Sequence, residues 1–391
     1  MLDAFLKPLD ASLFGDADRY AENSLGQYIQ KHIESLPAIE GKQLAIIGIQ
    51  ESRQQALNPA CAHAADYIRQ ELYRLYTPDS CCEIVDLGNI AAGETVHDTY
   101  IAIQEVCWEL IKNQCIPLLL GGSRDLVYGQ YLAYANYDNT IDIAAVDARF
   151  HLKDSGEAGP VAADNFLFKI IAHQPSHLFN YVNLGFQTYL VNRNEVRLLE
   201  KLFFDVVRLG ELRANIEEAE PYLRAADMLY LDVSAIRKAD APGNPEGSPN
   251  GLFAHELCQL TRYAGLSDKL SSIGFFEYDP SSDRQLLTAA TLAQAIWYFI
   301  DGLNNRMNDL PKVRNRTFIK YTTTLKAGKH DLVFYKSKKS GRWWMEVALP
   351  PIKGSKKERT HLVPCSYNDY LMAGKDELPD KWWKFHQKYM L

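Results

Sequence analysis

Leu118-Leu-Leu-Gly-Gly-Ser-Arg-Asp125 runs three leucines into two glycines and then into a cation followed by an anion. The leucines read as the end of a strand buried on both faces, because no polar residue interrupts them. Paired glycines permit backbone turns that side chains resist. The segment therefore reads as a strand end that delivers Arg124 and Asp125 to the edge of a sheet. A plain turn into a helix, with Ser123 as N-cap, would use the same residues.

The same rhythm repeats on either side. Apolar runs at 43–49, 83–87, 116–120, 141–146, 181–184, 228–233 and 271–276 predict strands, and 60–76, 98–113, 126–134 and 282–304 predict helices. Alternation at this pace predicts a three-layer α/β fold, a mainly parallel sheet with helices on both faces. Ligands of such sheets gather at the carboxyl ends of the strands. Four chemically unusual segments fall there: Gly121-Gly-Ser-Arg-Asp125, Asp147-Ala-Arg-Phe-His151, Asp232-Val-Ser234 and Glu277-Tyr-Asp-Pro280. An aspartate at one strand end is ordinarily a turn or capping residue. Four coincident clusters point to a site.

Composition narrows the class. The chain has 391 residues, 47% of them hydrophobic, enough for one large core and an appendage. No apolar run reaches the roughly 18 residues of a membrane span, and the first residues lack the pattern of a secretory signal. Seven scattered cysteines without CxxC spacing suggest thiols of a reducing compartment, hence a cytoplasmic protein. The net charge of −7 conceals a division: 18 of the 42 basic residues but only 7 of the 49 acidic ones lie from Pro311 onward. That split predicts a basic module docked on an acidic body, or a basic surface kept for an anionic partner.

Taken together, the strand-end segments resemble the ureohydrolases: arginase, agmatinase, formimidoylglutamase and their relatives. Gly121 to Asp125 stands where that family has GGDHS, Asp147 to His151 where it has DAHxD, and Tyr230-Leu-Asp-Val-Ser-Ala-Ile-Arg-Lys238 where it has SxDxDxxDP. Ala241-Pro-Gly-Asn-Pro-Glu-Gly-Ser-Pro-Asn-Gly-Leu252 is similar to the loop APGTGxPxPGGL, and Glu277 in FFEYDP to the EVNP segment. The likeness spans roughly 40–305. It implies an arginase-like fold, a two-manganese centre that activates water against a guanidino or formimino carbon, and self-association into homo-oligomers.

The departures fall on the metal positions. Of two histidines and four aspartates, Asp147 and Asp232 remain, while Arg124, Arg149, His151 and Ser234 replace the other four. Arginine stays protonated and has no lone pair for a metal. The expectation is that Arg124 and Arg149 replace the ions and pair bidentately with Asp147 and Asp232, balancing their charge. Glu277, which in the family contacts the substrate's guanidinium, would then bond one of the protein's own arginines. An alternative keeps a single manganese on Asp147, His151 and Asp232, with His151 and Glu277 as the candidate catalytic residues.

Beyond 310 the pattern changes. Runs at 316–325, 331–335 and 342–347, with the loop Lys336-Ser-Lys-Lys-Ser-Gly341, predict a small antiparallel module over 311–391, followed by a capping box at Ser366 and a last helix after Pro379. Lys338, Lys339, Arg342, Trp343 and Trp344 are candidates for contact with a protein or nucleic-acid partner. The aromatics could equally form the module's own core, its cations facing solvent or the acidic body. Because strand side chains alternate, Trp343 and Trp344 face opposite sides, and one is exposed unless another surface covers it. Three functions remain open: a metal-free binding or scaffolding protein, an altered C–N hydrolase of linear amidines, and a nucleic-acid-binding accessory protein.

Overall fold

The computed structural model describes residues 2–136, 140–154, 156, 159–311, 317–325, 330–349 and 359–390. Ten strands make the main sheet: β1 (Leu6–Lys7), β2 (Gln30–Lys31), β3 (Leu44–Gln50), β4 (Ile84–Ala91), β5 (Ile116–Leu120), β6 (Ile141–Val146), β7 (Leu178–Phe186), β8 (Asp205–Arg208), β9 (Met228–Asp232) and β10 (Ser272–Phe276). Their order is β1-β4-β3-β5-β10-β9-β6-β7-β8, with β2 against β4, and only β1 runs antiparallel to its neighbour.

Both faces are covered, as the alternation predicts. Leu44 and Ile46 of β3 pack into a cluster shared with the helices Ala64–Leu72, Ala254–Gly265 and Leu287–Asn304. Ala45, Ile47 and Ile49 point the other way, into a cluster with Val96–Lys112, Val127–Leu132 and Phe166–Ala172. Each central strand thus contributes to two cores, which is why no polar residue interrupts β5.

Helix ends differ from expectation where side chains intervene. The last helix of this body begins at Leu287 rather than 282, because Asp283 Oδ2 accepts the N–H groups of Thr288 and Ala289 at 2.9 and 3.1 Å. Residues 73–76 leave the helix Ala64–Leu72, and Tyr73 turns its hydroxyl to buried Asp86 at 2.7 Å.

A second sheet, β11 (Phe318–Leu325), β12 (His330–Ser337), β13 (Trp343–Leu349) and β14 (Arg359–Cys365), is antiparallel in sequence order. Arg316, the expected start of its first strand, lies outside the described residues. β14 was not foreseen: Pro364 argues against a central strand, but an edge strand tolerates it. The capping box forms at Ser366 and Asp369, and the last helix runs Asp380–Met390.

Of the five residues expected at a partner surface, Trp343, Trp344 and Arg342 are engaged within the chain, while Lys338 and Lys339 are exposed. Trp343 stacks on Tyr370 at 5.0 Å inside the module. Trp344, on the opposite face, lies under the Arg224 guanidinium of the main body, 4.3 Å from its ring centre. Neither ring is offered to a partner. Arg342 pairs with Glu220 at 3.2 Å and donates to Leu266 O at 3.2 Å. Lys339 and Lys338 are exposed, and Lys339 Nζ reaches Met307 O at 3.3 Å. Further contacts join Lys384 to Asp205 at 2.8 Å and Lys381 to Glu218 at 3.7 Å. The basic module is docked on the acidic body.

Arg224 is the pin of that joint: it donates to Trp343 O and Cys365 O at 3.1 and 3.2 Å, pairs with Glu220 at 2.9 Å, and is buried. Arg224→Met is expected to lower stability by about 3 kcal/mol, since it leaves two carbonyls without their donor and takes from Glu220 one of its two arginines. Chemical denaturation followed by tryptophan fluorescence checks this; an unchanged midpoint would refute the assignment.

Candidate functional site

The strands β5, β10, β9 and β6 are consecutive neighbours, so their carboxyl ends bring the four unusual segments together. Two left-handed glycines, Gly121 (φ 83°) and Gly122 (φ 78°), turn the chain out of β5. A Cβ on Gly122 would lie 2.8 Å from Glu51 O and closer still to Leu126, so the turn requires glycine on both steric counts. Ser123 precedes the short turn Arg124–Leu126, but its hydroxyl does not cap it. Arg124 is thereby aimed across the strand ends.

Its guanidinium lies among carboxylates. Arg124 Nε is 3.0 Å from Asp232 Oδ2 and 3.2 Å from Glu277 Oε1, and Nη2 donates to Glu246. Nη1 stands 3.4 Å from both ring nitrogens of His151, and the Arg124 backbone N–H donates to Glu277 Oε1 at 2.9 Å. The pairing differs from the expected bidentate fork: one guanidinium spans three carboxylates, and its Nε–H aligns well with neither Asp232 nor Glu277. Burial opposes its charge, but Asp232, Glu277, Glu246 and Asp147 prevail and hold its pKa well above the ordinary arginine value.

Around it, Asp147 Oδ2 contacts His151 Nε2 at 3.1 Å, and Asp147 Oδ1 accepts the Arg149 backbone N–H at 2.9 Å and the Ser234 hydroxyl at 3.4 Å. His151 stacks on Phe166 with ring centres 5.3 Å apart. Asn58 and Gln55 donate to the Glu277 carboxylate at 3.1 and 3.3 Å. His151 (φ 57°) and Glu277 (φ 69°) both hold left-handed backbone without being glycine, a cost their polar partners offset.

Arg149 corrects the expected charge balance. Its side chain is 30% exposed at the rim, donates to Leu190 O at 3.0 Å and lies 3.9 Å from Glu246, away from Asp147 and Asp232. The deep charges are thus Asp147, Asp232 and Glu277 against Arg124, with Glu246 and Arg149 further out. Burial, reinforced by Asp147 and Glu277, pushes the Asp232 carboxyl up to about 7 despite Arg124. Burial likewise raises Glu246, but Arg124 and Arg149 outweigh it and hold that group below the usual range.

Arg124, Asp147, His151, Asp232, Ser234 and Glu277 are brought together; Arg149 is not. Glu246, Gln55 and Asn58 were missed. Glu246 is the single acid of the loop Ala241 to Leu252, and Gln55 and Asn58 sit in a stretch with no periodic pattern, so only folding reveals what they reach.

Arg124→Ala is expected to cost about 3–5 kcal/mol, because it strands buried carboxylates. Arg149→Ala, at the solvated rim, is expected to cost under about 1 kcal/mol. Paired thermal melts test the contrast, and equal losses would remove Arg124 from its central place.

Comparison with known proteins agrees with this fold. The Arginase family model matches residues 42–301. A formimidoylglutamase of Staphylococcus haemolyticus is 26% identical over 249 residues, covering 60% of this chain and 77% of its own length. That of Halalkalibacterium halodurans is 23% identical over 314 residues, covering 72% and 96%. Among solved structures, Trypanosoma cruzi formiminoglutamase with Mn2+2 superposes with a TM-score of 0.63 at 15% identity, covering 68% of this chain and 94% of that one. Formimidoylglutamase from Bacillus subtilis gives 0.62 at 20%, covering 68% and 89%. With five motifs converging on one end of a parallel sheet and a family match across most of that sheet, the chain belongs to the arginase family.

Proposed function

We propose that this protein is a non-catalytic member of its family, a binding or scaffolding protein whose former metal cage is closed by its own guanidinium. One observation carries the reading: Arg124 lies within 3.4 Å of Asp232 and of both ring nitrogens of His151. A guanidinium offers no lone pair and repels a second cation, so the residues present do not fit a pair of manganese ions. No hydrolytic step is assigned to them. Glu277 meets Arg124, so a guanidinium of the protein itself occupies the position where the family resemblance would place substrate.

A second reading has one specific observation in its favour. Donor atoms of Asp147, His151 and Asp232 lie within 4.8 Å of one another. Carboxylates also outnumber guanidiniums in the site, which leaves negative charge for one cation. This reading makes the protein an altered C–N hydrolase of linear amidines, similar to formimidoylglutamase, arginase or agmatinase, in which the cation displaces Arg124 from Asp232. The nucleic-acid reading would rest on the exposed Lys338 and Lys339, because Trp343, Trp344 and Arg342 are engaged within the chain.

Protein purified without chelator is expected to contain well under one manganese per chain by elemental analysis, and to leave arginine, agmatine and formimidoylglutamate unchanged when manganese is added. Turnover abolished by Asp232→Asn would establish the second reading. Restoring the family pattern with R124H, R149H, H151D and S234D together is expected to create manganese binding measurable by calorimetry. If that variant folds and still binds none, the departures are not what excludes the metal.

A further inference from the structure

A separate cavity lies at the other end of the sheet. It holds about 690 Å³, room for a small organic molecule. Ile116, the first residue of β5, is in its wall, whereas the last residue of the same strand leads to Arg124; the two sites are therefore at opposite ends. The end of the helix Leu287–Asn304, the segment leading into β10, the loop around Cys81 and the turn before β5 also line it.

Arg306 is the cation of that wall with no ion pair among the described residues, although the Asp268 carboxylate in the same wall is near enough to favour its charge. Its Nε donates to Gly265 O and its Nη2 to Leu270 O, each at 3.0 Å, and among the described residues no carboxylate forms an ion pair with it. The other charges of the wall are engaged: Asp268 accepts the backbone N–H groups of Asn308 and Asp309 at 3.2 and 2.8 Å, and Lys269 pairs with Asp142 and Asp227 at 2.7 and 2.9 Å. Beside Arg306, Asn304 Oδ1 accepts the Cys82 N–H at 2.8 Å, while its Nδ2 is a buried donor with no acceptor. Burial, partly opposed by Asp268 and Cys82, pulls the Arg306 pKa down to about 10. Buried donors and uncompensated charge are costly unless a partner arrives.

We propose that this cavity binds a small organic anion, a carboxylate or phosphate monoester with an uncharged body. Its anionic group meets the Arg306 guanidinium through charge-assisted hydrogen bonds, and its body rests on Ile116, Leu270 and Leu303. Two terminal groups share this chemistry, so both are tested.

The cavity contains its own reporter. Cys81 is partly exposed in the wall, whereas the other six cysteines are buried. A hydrogen bond from Cys82 outweighs burial and lowers the Cys81 thiol pKa, favouring alkylation near neutral pH. Iodoacetamide labelling of Cys81 in the full chain is followed by peptide mass spectrometry with benzoate, phenyl phosphate or uncharged benzamide present. At a concentration about ten times its Kd, a bound anion is expected to slow labelling about tenfold while benzamide does not. Protection by benzoate alone, or by phenyl phosphate alone, identifies the preferred terminal group.

Arg306→Met is expected to abolish the protection, and Arg306→Lys, which keeps the charge, to retain part of it. Equal effects of benzoate, phenyl phosphate and benzamide on the unaltered protein would overturn the proposal, as would protection by none of them. That comparison needs no variant to fold.

Discussion

A guanidinium removed from water must keep its counter-charges close, and at the carboxyl end of the main sheet that requirement organises everything else. Arg124 leaves β5 through two glycines and meets Asp232 from β9, Glu277 from the end of β10 and Glu246 from the loop after β9. Each partner is itself held: Glu277 by Asn58 and Gln55, Asp232 by the Ser234 N–H at 2.7 Å, and the Glu246 backbone by Asn244 at 2.9 Å. The left-handed backbone at His151 and Glu277 persists because these bonds over-determine it.

The charge arrangement differs from that of a simple replacement of metal by arginine. Two arginines against two aspartates would balance. The folded site instead places one arginine deep, one at the rim, and adds two glutamates that the metal motifs do not contain. Burial, and after it the carboxylates of Asp147 and Glu277, push the Asp232 carboxyl up to about 7 despite Arg124. A polar cluster of this kind gives a definite geometry rather than a large stabilisation, because desolvation offsets most of the attraction.

The same rule operates at the docked module. Arg224 faces Trp344 while bonding two carbonyls of the second sheet, and Arg342 returns the contact to Glu220. Two arginines from opposite bodies thus share one glutamate, and the charge division along the chain becomes cohesion between its parts. Trp344 has no exposed face because the main body covers it, which a strand pattern alone does not reveal.

Much of this was legible in the residues themselves. Uninterrupted apolar runs specify strands buried on both faces, and β5 and β6 fall where the runs place them, because periodicity is a local property. The motifs place Arg124, Asp147, His151, Asp232, Ser234 and Glu277 at strand ends, and the sheet order makes those ends neighbours. Only the tertiary structure decided that Arg149 turns to the rim, that Glu246 joins Arg124, that Trp343 and Trp344 are covered and that Arg306 lines a cavity without forming an ion pair among the described residues. Those outcomes depend on distances between segments far apart in the chain, set by packing and the competition among charges for few partners, and no local pattern encodes them.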